Sequence, residues 1–258
     1  MVPTSRASIR DQFWAELEHH LAGWLEKVSE DFSETAFRQE LGDLKKDPLY
    51  AAFGFAIPEY VLIRLMGRVS ISIGRRLGEI YDKIPRLITQ ARFGLSEEAV
   101  APKVGKKLEL DVCVPLEHLS AADAKYVKGI SRKHLHGERL TGGLGIEIRY
   151  NFNPNDSARL RKDVEMANLL REAELLPVYL IFSTISPRDE AIARLKRAGW
   201  TFLIGGHASG FMRELIGMDF EKILDEVRNE LDAQVAKIMQ EVYTSYAIRT
   251  TLGPYQNK

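Results

Sequence analysis

The stretch GIEIRYNFNPND, residues 145–156, sets an acid and a base two residues apart, Glu147 and Arg149, in a run that otherwise alternates apolar side chains. In a strand, successive side chains face opposite sides of the sheet, so Ile146, Ile148 and Tyr150 share one face while Glu147, Arg149 and Asn151 share the other. A second alternating run, KKLELDVCV (106–114), puts Leu108, Leu110, Val112 and Val114 on one face and Glu109, Asp111 and Cys113 on the other. The pattern predicts one strand with a single buried face, its carboxylates on the polar side. Two carboxylates on neighbouring strands can hold a hard divalent ion such as Mg2+, which polarises a phosphoryl oxygen and makes hydroxide available near neutral pH. Asp111 and Glu147 are the candidate metal pair. Arg149, and Lys162 further along, are the cations available to orient water or neutralise developing charge.

The elements that must carry these residues are read from period and punctuation. Apolar positions Ile9, Phe13, Leu17, Leu21, Trp24 and Val28, then Phe37, Leu41 and Leu44, recur every three or four residues and predict amphipathic helices over the first 46 residues. A second helical region starts near Pro58, runs through Ile63, Met66, Val69, Ile73, Leu77 and Ile80, carries Glu79, and is expected to be interrupted at Pro85. After the strand at 145–152, Asn155, Asp156 or Ser157 can cap a helix to about Glu174 with Leu160, Val164 and Leu170 inward. LLPVYLIFS (175–183) suits a central strand, 188–198 a short helix ended by Gly199, and WTFLIG (200–205) another strand. GGHASG around His207 lacks the lysine and spacing of a phosphate loop and reads as a turn. From Asp219 to about Tyr243 one long helix is expected, with Ile223, Val227, Leu231, Val235, Ile238 and Val242 on its apolar stripe. The fold class is therefore α/β: a central mixed sheet flanked by helices, with additional N- and C-terminal helices. No repeat or low-complexity segment appears, so 1–258 reads as a single domain: an N-terminal helical part (1–57), a core (58–205) and a C-terminal helical part (206–258).

Net charge is zero, with 36 basic and 36 acidic residues, but the charges are segregated. From Val61 to Lys107 ten basic residues stand against four acidic, a net +6, whereas 11–47 carries −6 and 214–241 carries −5. A basic middle could meet a polyanion; solvated helix faces produce similar runs. The single cysteine, Cys113, rules out an intrachain disulfide and fits a small packed residue in a reducing compartment. No cationic and apolar N-terminal signal is present and no apolar run approaches the roughly 18 residues of a membrane span, so a soluble, cytoplasmic protein is expected.

In order, RRLGEIYDKIP, LELDVCV and EIRYNFNPNDSARLRKDVEMANLL (within 71–183) resemble type II restriction endonucleases of the PD-(D/E)XK nuclease superfamily, ApaLI-like. The resemblance covers the core and not the outer helices. It implies a homodimeric, Mg2+-dependent site-specific deoxyribonuclease that hydrolyses both strands of a short palindromic site in double-stranded DNA, accompanied by a cognate DNA methyltransferase. Glu79, Asp111, Glu147, Arg149 and Lys162 are the expected catalytic residues. The family's lysine two residues after the glutamate is here Arg149, which stays protonated and cannot act as a base; Lys162 is the candidate to have taken over that role.

The long interval between Asp111 and Glu147 contains an insertion, 115–144, with Lys125, Lys128, Arg132, Lys133 and Arg139 against one acid between Ala124 and Arg139. It reads as a DNA-contacting arm or as a solvated surface excursion, and Arg159 joins the candidate DNA contacts. His134 and His136 lack further ligands at zinc spacing. Two other classes stay open: a catalytically decayed nuclease fold that binds DNA without cutting it, and a helical interaction protein acting through its acidic ends.

Overall fold

The computed structural model describes residues 6–105, 108–136, 138, 140–150, 157–184, 189–217 and 219–256. Helices α1 (Arg6–Asp31), α2 (Glu34–Lys46), α3 (Pro48–Ala52), α4 (Pro58–Phe93) and α5 (Glu97–Val100) come first. Short strands β1 (Lys103–Val104) and β2 (Leu108–Glu109) precede β3 (Val112–Pro115), a 3-10 turn at Leu116–His118 and α6 (Ala121–His134). Then follow β4 (Gly143–Arg149), α7 (Ser157–Glu172), β5 (Leu175–Ile181), α8 (Asp189–Arg197), β6 (Thr201–Ile204), α9 (Gly206–Ile216), α10 (Phe220–Glu226), α11 (Arg228–Tyr243) and α12 (Tyr246–Gln256). The chain is α/β and mostly helical, and among the described residues no helix is long and apolar enough to cross a membrane.

The chain divides into two compact units. One comprises 1–13 with 77–226, the other 14–76 with 227–258. The first is built on a mixed sheet in the order β3-β4-β5-β6: β3 runs antiparallel to β4, and β4, β5 and β6 are parallel. Parallel neighbours need a crossover, which α7 and α8 supply. One face of the sheet packs Cys113, Tyr179 and Ile181 against Met166, Ala167 and Leu170 of α7 and Ala191, Ile192 and Leu195 of α8. Leu144, Ile146, Ile148, Val178 and Leu180, which alternate onto the other face, are fully buried as well. Gly145 lets α7 lie close: a Cβ there would stand 2.7 Å from Leu170 Cδ2.

Burial on both faces corrects the expectation of a half-exposed strand at 106–114. The run is also not one strand. Leu108–Glu109 pairs with Lys103–Val104 in a separate two-stranded sheet, and β3 begins only after Leu110 and Asp111. Alternation persists through such a break, so period alone does not reveal it. Arg86 of α4 holds the irregular segment, donating to the Asp111 carbonyl (2.7 Å), the Leu110 carbonyl (3.3 Å) and Glu109 (2.6 Å).

In the second unit, Leu17, Leu21, Trp24 and Val28 of α1 are buried as their spacing predicts, together with Phe37 and Leu44 of α2 and Ile238 and Val242 of α11. Three other expectations need revision. Helix α4 continues past Pro85, whose missing N–H and ring clash, worth about 3 kcal/mol, are offset by burial of Ile84 and Ile88 beside it. GGHASG opens α9 and is not a turn, because Ala208, Phe211, Met212, Leu215 and Ile216 fall at helical spacing and are all buried. The C-terminal helix is split at Val227, a fully buried residue whose φ of −114° leaves the helical range.

A buried acid–base cluster as candidate active site

Extending the β3–β4 register by one residue sets Asp111 opposite Glu147, with both side chains on the face that α7 covers. Both are 6% exposed. A buried carboxylate must be hydrogen-bonded or paired, and each of these is paired with the same group. Arg149 donates to Asp111 Oδ2 at 3.1 Å and to Glu147 Oε1, and also to the carbonyl of Ile148. Asp111 Oδ2 further accepts the Ile148 backbone N–H at 2.7 Å. The Arg149 guanidinium stands 6.0 Å from the centre of the Tyr179 ring, a cation–π distance. Burial opposes the Arg149 charge, but Glu147 and Asp111 outweigh it and hold its pKa well above the ordinary guanidinium value.

The pairing is incomplete. Glu147 Oε2 is buried and has no hydrogen-bond partner among the described residues. Burial first, and then the neighbouring Asp111 charge, push the Glu147 pKa well above the usual carboxylate value, against the opposing pull of Arg149. Glu147 lines a cleft of about 280 Å3 together with Asp111, Arg149, Arg159, Lys162 and Asp163.

Asp163 is a buried residue of the cleft that the sequence reading did not single out. It is 5% exposed, and burial raises its pKa from 3.8 to about 6 despite the pull of Arg149 and the hydrogen bond from the Tyr179 hydroxyl (3.2 Å). Its own carbonyl accepts the Trp200 indole N–H at 2.7 Å, which pins α7 beside β6. Arg159, one turn earlier, bridges the two acids, 3.3 Å from Glu147 Oε1 and 3.4 Å from Asp163 Oδ1. A signal for Asp163 was present: Asp163, Met166, Ala167 and Leu170 follow helical spacing and form the buried face of α7, whereas Leu160 and Val164 are only half-buried.

The other predicted residues lie as follows. Lys162 is exposed and lines the cleft, with no ion pair among the described residues. Glu79 belongs to α4, but its side chain is outside the described residues, as is Arg139. Lys125, Lys128, Arg132 and Lys133 are exposed on α6, a helix packed on the unit through buried Val127 and Ser131 rather than a free arm. Lys133 is bound to Glu214 at 2.6 Å, and His134 lies 3.1 Å from the same carboxylate. The insertion leaves the sheet at Pro115 and rejoins it at Gly143, the end opposite to Asp111 and Glu147. The basic middle of the sequence is also largely engaged: Arg64 and Arg68 pair with Glu40, Arg86 with Glu109, Arg92 with Asp123, and Arg76 donates to the Gly23 carbonyl. Cys113 is buried and its thiol is pushed up to about 12, consistent with a packing role.

The donor set suits a hard divalent cation on two counts: the oxygens are carboxylate, and Glu147 Oε2 has no donor among the described residues. No group of three or more His, Cys, Asp or Glu that could hold a metal ion is present among the described residues. Mg2+ does not need one, since one or two carboxylates plus water and substrate phosphate commonly complete its shell. Compared with family models, curated proteins and solved structures, the chain matches none.

Proposed function

We propose that the chain is a Mg2+-dependent endonuclease of double-stranded DNA, a type II restriction enzyme with a core of the PD-(D/E)XK kind. The observation that carries this reading is the buried pair formed by Asp111, immediately before β3, and Glu147 of β4, one carboxylate oxygen without a partner among the described residues, beside a cleft rimmed by Arg159 and Lys162. Buried acids whose pairing is incomplete destabilise a fold, and perturbed buried acids concentrate at functional sites. When bound, the metal would polarise the scissile phosphate and lower the pKa of a water. Asp111 and Glu147 would hold it. Arg159 and Lys162 would meet the phosphate, and Arg149, permanently charged, would contribute charge and never act as a base. In the same reading the enzyme works as a homodimer in the cytoplasm on a short palindromic site that a partner methyltransferase protects.

One feature favours the second reading, a decayed nuclease fold that binds DNA without cutting: Arg149 already occupies the space between the two acids. Incubation of a fully sequenced phage DNA with the protein, in Mg2+ and in EDTA, separates the two. Discrete fragments with ends mapping to one sequence, lost in EDTA, are the expected result. Intact DNA that the protein nonetheless retains in a salt-sensitive complex would replace the first reading with the second.

A further inference from the structure

Resting on the metal-dependent reading above, we propose that Arg149 is a built-in competitor of the metal: its guanidinium holds the cation position between Asp111 and Glu147 and must withdraw toward Asp163 and Tyr179 for a divalent ion to bind. Three observations meet here. Arg149 touches both acids, so the oxygens Asp111 Oδ2 and Glu147 Oε1 are spent on an internal cation. Glu147, with its side chain 8% exposed, still keeps Oε2 beside the cleft without a hydrogen-bond partner among the described residues. One guanidinium therefore satisfies the pair only in part, which is why it is a placeholder rather than a permanent bridge.

The third observation is what lies on the other side of the guanidinium. The Tyr179 ring lies 6.0 Å from the guanidinium, and the Tyr179 hydroxyl donates to Asp163 at 3.2 Å. Acids on the β3–β4 side and an acid backed by an aromatic ring on the α7–β5 side give the side chain two discrete partners, the arrangement needed for a two-position element. Arg159, itself shared between Glu147 and Asp163, links the same two partners. Metal affinity is then set by the difference between the two positions, and substitutions on the two sides must act with opposite sign.

The test is Mn2+ binding, followed by electron paramagnetic resonance and calorimetry on the intact chain, for wild type, Arg149→Gln, Asp163→Asn and the double variant, with DNA cleavage measured in parallel. Arg149→Gln is expected to bind Mn2+ roughly tenfold more tightly than wild type, and Asp163→Asn to bind it more weakly by a comparable factor. In the double variant the Asp163 effect disappears, because no guanidinium remains to be received. If Arg149→Gln does not fold without metal, Arg149→Lys, a point charge that cannot fork across both acids, carries the same comparison. Weaker or unchanged Mn2+ binding in the Arg149 variants, with a wild type that binds Mn2+ and cuts DNA, overturns the inference and leaves the nuclease reading standing. A wild type that neither binds Mn2+ nor cuts overturns both.

Discussion

Two ionic clusters in the same structural unit differ in one respect that decides what each can mean. On the surface, Lys133 and His134 of α6 meet Glu214 of α9, and Lys133 is 63% exposed. In the interior, Arg149 meets Asp111 and Glu147, whose side chains are 9% and 8% exposed. Water reaches Lys133 with or without its partner, so its contact with Glu214 carries little energy and little information. Water cannot rescue the second, so each member depends on the others and a surplus acid such as Asp163 persists at a cost. Burial, not the mere presence of opposite charges, marks the site.

The contrast can be broken from either side. The largest effect is expected for Arg149→Met in the absence of divalent metal. Removing the shared cation leaves two buried carboxylates with, among the described residues, only Arg159 at 3.3 Å from Glu147 and Arg86 at 3.7 Å from Asp111, and the loss in a urea titration at neutral pH should be about 3 kcal/mol; an unchanged midpoint would mean that water enters the cluster freely. Next comes Asp163→Asn, which should stabilise. The folded pKa of Asp163, about 6, lies above its ordinary 3.8, so the folded state binds the proton more tightly. Its contribution is fully present below about pH 4 and is lost as pH rises through about 6, a difference on the order of 2–3 kcal/mol. Asp163→Asn keeps the acceptor for Tyr179 and removes the charge, so its melting temperature should exceed that of wild type at pH 7.5 and converge with it at pH 4. Parallel curves at both pH values would deny Asp163 that titration.

Gly145→Ala is third. It presses on fully buried Leu170 and so on the helix that carries Arg159, Lys162 and Asp163, with an expected loss of about 1–3 kcal/mol. Urea unfolding of wild type and variant checks it. Lys133→Ala is last: no measurable change in the urea midpoint is expected, and a clear loss would show that the surface cluster is more than solvated charge.

What the chain made legible follows from the same physics. Strands β4, β5 and β6 and helices α7 and α8 lie within a few residues of their expected limits, because apolar runs bounded by turn residues such as Gly199 leave few alternatives, while the expected caps Asn155 and Asp156 lie outside the described residues. Less legible was the Leu110–Asp111 break, where alternation continues across two different sheets. Pro85 lies inside a helix because tertiary burial overrides local preference. The candidate pair Asp111 and Glu147 was visible as residue types at strand spacing, and the structure sets them opposite one another. Their burial was not visible, since polar residues alternating with apolar ones ordinarily face water. Asp163 was overlooked for a related reason: on a helix dense with charge, an acid is read as solvated unless its phase is matched to Met166, Ala167 and Leu170.

The strand order has a practical bearing on handling the protein. The edges of the four-stranded sheet are β3 and β6, each four residues long, and β3 closes on Pro115, which has no N–H to offer. Little ladder is left for another molecule to extend. The apolar segment LLPVYLI of β5 lies between β4 and β6 with both edges hydrogen-bonded. Precipitation of a weakened variant would therefore report loss of one of those two neighbours, and turbidity on heating becomes a simple gauge of whether the sheet itself has opened.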